Sequence, residues 1–305
     1  MKVSILGGAG TLGSTTAFVI AQQNLVHEIC LIDIKVNIAS SHKMDMEQAV
    51  AEVSNVKITS GGFSLLRGSD IVINTVGIPE KQVESRMDYL VGNYKIIKEI
   101  AGYINEFTTN PVIITATNPL DIINSLLQSC VQVDSSRLIG FSLNDTFRLR
   151  WALSSVLNRS ISEIDALVLG EHGEDQLPIY SHIYVDGSQV NITNEVKLQV
   201  QQIIKNWFTL YQSLNSGRTT GWLSSLNIAR MIKAIVKDTK EVIPCSVIGS
   251  DGVSIGQPAI IGKNGVESIK EISMTEVEKT EFNRIKEKIK SQVDNLQQGK
   301  VESLK

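Results

Sequence analysis

The sequence predicts an α/β protein: a doubly wound parallel sheet, followed by a region of mixed α+β structure. Three observations carry that expectation. Short, continuously apolar runs recur at residues 3–6, 28–34, 70–76, 111–117 and 137–141. Such runs are strands buried on both faces, not the alternating strands of a half-exposed sheet. Between them, helical spacing is readable at 14–23, through Ala17, Ile20 and Ala21, and at 89–104, through Leu90, Asn93, Ile97 and Ile100. Strands alternating with helices form a parallel sheet covered on both sides. The third observation is a change of pattern near residue 142, which divides the chain into units 1–142 and 143–305.

Beyond that boundary the spacing predicts a helix at 145–157, a strand at 164–169 and a hairpin within 182–192 that turns at Asp186-Gly187. Long helices follow at 197–214 and 223–236, then a second hairpin within 247–272 turning at Asn264-Gly265. The last helix opens with a capping box, Thr275-x-x-Glu278. It continues with the apolar stripe Phe282, Ile285, Ile289, Val293 and Leu296. No internal repeat or flexible linker interrupts this order.

Bulk properties narrow the function classes. A chain of 305 residues suits about two domains. With 42% hydrophobic and 20% charged residues it is neither disordered nor low in complexity. A net charge of −3 with scattered Lys and Arg gives no footprint for nucleic acid or an anionic membrane. Cys30, Cys130 and Cys245 are far apart and form no metal-ligand spacing, which suits a reducing compartment. The first apolar run is too short for a signal peptide, and no run approaches the ~20 residues of a membrane span. The expectation is a cytoplasmic protein without a bound metal.

Gly8-Ala9-Gly10-Thr11-Leu12-Gly13 fits G-x-G-x-x-G between the first strand and the first helix. Glycines there allow a tight turn and close approach of the backbone to a pyrophosphate, and the helix N-terminus supplies N–H groups and positive dipole. Gly8, Gly10, Thr11, Leu12 and Gly13 are therefore candidate cofactor contacts. Asp33 ends the second strand 20 residues after Gly13, where a carboxylate would bond the adenosine ribose hydroxyls. That carboxylate would repel a 2′-phosphate, so NAD is expected over NADP, with Lys35 as a nearby counterweight. The plainer reading is a structural βαβ turn with a surface aspartate.

The candidate chemistry lies at His172 in Gly170-Glu171-His172-Gly173-Glu174, at Asp145 and Arg148 in Asp145-Thr146-Phe147-Arg148, at Asn118-Pro119 and at Arg86. Singly, each has an ordinary alternative: a hydrogen-bonded loop histidine, a helix-capping aspartate with a solvated arginine, a turn and a surface arginine. Together they resemble the lactate/malate dehydrogenase family, and most closely its lactate-dehydrogenase-like malate dehydrogenase branch. The resemblance covers nearly the whole chain. It rests on GGAGTLG at 7–13, LIDI at 31–34, TNPLD at 117–121, DTFR at 145–148, LGEHGEDQLPIYS at 169–181 and KDTKEVIPCSV at 237–247. His172 also follows Arg148 by the 24 residues of the family pattern.

The resemblance implies a Rossmann NAD-binding domain and a catalytic domain, acting on a small 2-hydroxy or 2-oxo acid in a homodimer or homotetramer. It implies that His172 is the acid/base and that Asp145 orients it. Arg148 would bind the substrate carboxylate, and Arg86 would polarise the reacting C–O bond when its loop closes. Asn118 would contact substrate oxygen and cofactor, Thr220 would line the pocket, and Asn93 and Thr117 would sit on the cofactor side. Each role suits the residue: the anion needs a cation, the proton a shuttle and the developing oxyanion its donors.

One position departs from the pattern. Six residues before Arg86, family members carry arginine for oxaloacetate or glutamine for pyruvate; this chain has Glu80. Against a dicarboxylate at ~4 Å, with an effective dielectric of ~20, Glu80 would cost about 4 kcal/mol. Lys81 is adjacent and would restore a cation if it turned inward, while Val83 replaces the loop's usual glycine. Before Asp145 the usual leucine is Asn144. Four readings follow: a malate dehydrogenase, a dehydrogenase of lactate or another 2-hydroxy acid, an NAD-dependent glycoside hydrolase on a related fold, and a cofactor-binding protein without turnover.

Overall fold

The computed structural model describes residues 1–78, 86–216 and 221–298, with backbone alone at 86–89. The first half runs β1 (Lys2–Leu6), α1 (Thr11–Gln22), β2 (Glu28–Ile32), α2 (Val36–Ala49), β3 (Lys57–Gly61), β4 (Ile71–Asn74), α3 (Arg86–Phe107), β5 (Val112–Thr115), α4 (Leu120–Gln128) and β6 (Leu138–Gly140). The second runs α5 (Leu143–Leu157), β7 (Ile164–Asp165), β8 (Val168–Gly170), β9 (Gln176–Pro178), β10 (Tyr184–Val185), β11 (Ser188–Gln189), α6 (Asn194–Ser213), α7 (Trp222–Lys237), β12 (Glu241–Ile248), β13 (Ser254–Gly262), β14 (Gly265–Ile269) and α8 (Glu276–Gln297).

The first six strands pair in parallel in the order β3-β2-β1-β4-β5-β6. Order reverses between β1 and β4, so their carboxyl ends flank the crevice where open α/β sheets bind ligands. Strand alternation explains why both faces are covered. Val3, Ile5, Ile29, Leu31, Ile71 and Ile73 point into one core with α1 and α7. Leu6, Cys30, Ile32, Val72 and Ile113 point into the other, with α3, α4 and α8. The central strands carry apolar residues on both faces because each face has its own layer of helices.

The sheet continues past residue 142. β12 pairs antiparallel with β6, through Ser246↔Gly140 and Val247↔Ile139, and is followed by β13, β8 and β9. α7 packs beside α1 on the first half's core, and α8 packs on α4. The structure thus combines a Rossmann-like parallel sheet with an α/β C-terminal region.

Several elements differ from the sequence reading. The apolar run at 164–169 is two strands: β7 joins a small sheet with β10 and β11, while β8 enters the main sheet. Helix α2 buries only Ala39 and Met46, too little apolar spacing to mark it. Helix α4 buries eight of its nine residues, so its polar residues Asp121, Asn124 and Ser125 do not mark a solvent face. The Asp186-Gly187 turn has both residues at positive φ, 50° and 73°, the conformation a two-residue hairpin requires. The Thr275/Glu278 capping box is present.

Candidate active site

The crevice begins at the β1–α1 turn. A Cβ on Gly13 would collide with the Gly7 carbonyl, and one on Gly8 would lie 2.9 Å from the Leu31 Cα. These close approaches let α1 start directly against the strand ends. Gly10 caps α1 without a side chain, and the first turn, which includes Thr11, Leu12 and Gly13, holds no acid. The helix start therefore keeps its backbone N–H groups and positive dipole end for an anion. Asp33, just beyond β2, accepts the Ala9 N–H at 3.0 Å and the Lys35 N–H at 2.9 Å. The carboxylate is thus held against the glycine turn. These residues fit a dinucleotide.

The crevice floor is tied by polar side chains. Asn93 is fully buried on α3; its amide oxygen accepts the Ile78 N–H at 2.8 Å, and its NH2 donates to the Asn118 carbonyl at 2.8 Å. Thr117 donates to the Val76 carbonyl at 2.6 Å. Asn93 and Thr117 thereby brace the exits of β4 and β5. The Asn118 side chain is exposed, ahead of a cis bond to Pro119.

The candidate acid–base centre is assembled from three elements. Asp145 lies in the first turn of α5, its N–H bonded to the Ser142 carbonyl, so it is not the cap. Its Oδ2 lies 2.5 Å from His172 Nδ1, and its Oδ1 accepts from Arg148 Nη1 at 3.0 Å. Gln176 Nε2 also reaches Oδ1, at 3.4 Å. His172 sits on the turn after β8, where Glu171 and Asp175 share Lys288 of α8 at 3.5 and 2.7 Å. Asn144, the family departure, is buried and bonded to Ser224 at 2.8 Å and Asn227 at 3.0 Å, which fastens α5 to α7. A polar residue there serves the helix contact and leaves Asp145 on His172.

Burial pulls the His172 pKa down, but the charge and hydrogen bond of Asp145, helped by the charge of Asp121, hold it above the ordinary histidine value. Arg148 also lies over the rings of Phe208 and Trp207, at 4.8 and 5.5 Å from their centroids. Arg148 also lines a cavity of about 620 Å³, walled by Phe147, Trp151, Trp207, Tyr211 and Trp222.

Sequence reasoning gave no role to Asp121, Ser246 or Gln176. Asp121, only 1% exposed, accepts the His172 main-chain N–H at 2.6 Å and the Ser246 hydroxyl at 2.5 Å. The signal was present in TNPLD, as a carboxylate opening an otherwise uncharged helix. Glu80, Lys81 and Thr220 lie outside the described residues, as does the Arg86 side chain; Arg86 is the first residue of α3.

The chain as a whole is similar to known proteins. The lactate/malate dehydrogenase NAD binding domain matches residues 1–140, and the alpha/beta C-terminal domain of the same family matches residues 143–299. The chain belongs to the lactate/malate dehydrogenase family. It is 29% identical over 303 residues to a malate dehydrogenase of Natronomonas pharaonis, covering 97% of this chain and 99% of the relative. It is also 29% identical over 309 residues to an L-lactate dehydrogenase of Clostridium perfringens, covering 96% of each. The solved malate dehydrogenase of Cryptosporidium parvum superposes with a TM-score of 0.88 at 28% identity, over 97% of this chain and 99% of that one. The protein is an oxidoreductase of 2-hydroxy acids that uses a nicotinamide dinucleotide.

Proposed function

We propose that the protein is an NAD-dependent malate dehydrogenase, interconverting malate and oxaloacetate. The observation that carries the chemistry is the His172–Asp145–Arg148 cluster, where one carboxylate holds both the proton shuttle and the substrate-binding cation. In the oxidation, the hydroxyl proton of malate passes to His172 Nε2; a nicotinamide held in the crevice would supply the acceptor for the hydride of C2. Asp145 keeps the imidazole oriented and stabilises the cation it becomes. Arg148 uses its remaining N–H donors on the C1 carboxylate, and its stacking on Phe208 and Trp207 limits the freedom of that fork. Arg86 and Asn118 serve the reacting oxygen. Asp33, just beyond β2, supports NAD over NADP, because a carboxylate there would accept ribose hydroxyls and repel a 2′-phosphate.

Among the described residues no helix is long and apolar enough to cross a membrane. We place the protein in the cytoplasm, as a homodimer or homotetramer with units 1–142 and 143–305. Exposed Phe18, Trp151, Trp222 and Leu226 on α1, α5 and α7 support self-association.

Lys81 is the cation assigned to the second carboxylate of oxaloacetate. The competing reading, a monocarboxylic 2-oxo acid, rests on Glu80. NADH oxidation with oxaloacetate and with pyruvate separates them, with Glu80→Arg measured alongside. The malate reading expects oxaloacetate to lead by on the order of 10²-fold, about the worth of one charge-assisted contact. Weak oxaloacetate turnover that rises sharply in Glu80→Arg would overturn it in favour of another 2-oxo acid.

A further inference from the structure

His172 is held by two carboxylates, Asp145 on its ring and Asp121 on its main chain. Asp121, the second residue of α4, is buried beneath the turn that carries His172. Its Oδ2 takes the His172 main-chain N–H at 2.6 Å. Its Oδ1 takes the Ser246 hydroxyl, which is 2.7 Å from the Ser254 hydroxyl. Ser254 in turn accepts from Asn124 at 2.9 Å, and its N–H donates to Ser125 at 2.8 Å. This chain of bonds runs from α4 through β12 and β13 and anchors Asp121 to the sheet. Burying a carboxylate this deeply is costly, and among the described residues no Lys or Arg forms an ion pair with it.

We propose that Asp121 is a second positioning carboxylate for His172, fixing the backbone of the histidine and stabilising the positive charge the imidazole acquires when it takes the substrate proton. Several charged groups face the same imidazole. Asp145 and Arg148 come from α5, with opposite signs. Glu171, on the histidine's own turn, is paired with Lys288 of α8, which also holds Asp175. Asp121 comes from α4 and touches His172 only through the main chain, so its effect on the ring is one of charge. Burial raises the Asp121 pKa to about 6, against the hydrogen bonds of Ser246 and His172. The charge is therefore present at neutral pH and is lost as pH falls through that value.

The inference rests on the proposed acid–base role of His172, but it has a readout independent of turnover. Asp121→Asn keeps an oxygen for the His172 N–H and places an NH2 against Ser246, so shape is retained while charge is lost. The protein has four histidines, so the His172 ring resonances can be identified by their loss in His172→Gln and titrated by NMR. Asp121→Asn should lower the His172 pKa by about one unit. The low-pH limb of 2-hydroxy-acid oxidation should move down equally. Should Asp121→Asn not fold, Ser246→Ala decides: the carboxylate loses its hydroxyl donor, becomes neutral at higher pH, and the His172 titration shifts in the same direction by a smaller amount. An unchanged His172 pKa in a folded variant overturns the proposal, even if kcat falls. Absence of turnover with every 2-oxo acid, alongside a shifted His172 pKa, would instead overturn the functional reading and leave this one standing.

Discussion

The nucleotide cradle and the acid–base centre share the carboxyl edge of one sheet, yet they are built of different material. The cradle is backbone: glycines 8, 10 and 13, the start of α1 and one carboxylate, gathered within residues 7–35. The proposed acid–base centre is side chain: Asp121, Asp145, Arg148, His172 and Gln176, drawn from α4, α5, the turn after β8 and the start of β9. Backbone recognition requires that nothing project, so its failures are steric. Side-chain catalysis requires that charges meet, so its failures are electrostatic and spread through the cluster.

Substitutions can test this division. The largest effect is expected from His172→Gln, which removes the proposed proton shuttle. Turnover should fall by about 10⁴-fold while NADH still binds, as read by fluorescence. Loss of NADH binding in that variant would show that the two regions are not separable. Arg148→Lys keeps the charge but loses the planar fork and its stacking on Phe208. A fall of about 10²-fold in kcat/KM, mostly through KM, should follow in steady-state assays. An equal loss in kcat would instead place Arg148 in the transition state alone.

On the cradle side, Gly13→Ala drives a methyl group into the Gly7 carbonyl. The helix start must shift, and NADH binding should weaken by up to about 10²-fold, the upper end of what overpacking costs. The His172 titration should not move; if it does, the cradle and the acid–base centre are mechanically coupled. Asp33→Asn is the mildest. It removes one partly exposed charge, so the preference for NADH over NADPH should shrink by about tenfold in parallel KM measurements. No change would mean that the pocket wall, not Asp33, excludes the phosphate.

The same division explains what could be read from the sequence. The cradle was legible because its parts are neighbours in the chain and its logic is local: strand, glycines, helix, acid. The strands at 3–6, 70–76 and 111–117 were legible because burial on both faces leaves short runs rich in apolar and β-branched residues. The acid–base centre was legible only as an assembled pattern, since Asp145 and His172 alone read as a cap and a loop residue. Asp121 was passed over because α4 is buried on all sides, and its polar residues Asn124 and Ser125 look like surface. Its partner Ser246 lies 125 residues away, on β12. The role of Asn144 was hidden for the same reason: its partners Ser224 and Asn227 belong to α7.

The central claim is that His172, charged through Asp145, moves the substrate proton. Its most direct test is kcat/KM against pH in both directions, in the unmodified protein and in Asp145→Asn. Reduction of the 2-oxo acid needs the protonated imidazole and should fall as pH rises through the His172 pKa, which lies above the ordinary histidine value. Oxidation needs the neutral ring and should rise through the same pKa. In Asp145→Asn both limbs should move to lower pH together, with activity reduced by at least about 10²-fold. Limbs that stay in place in Asp145→Asn would contradict the account and assign the proton to another group.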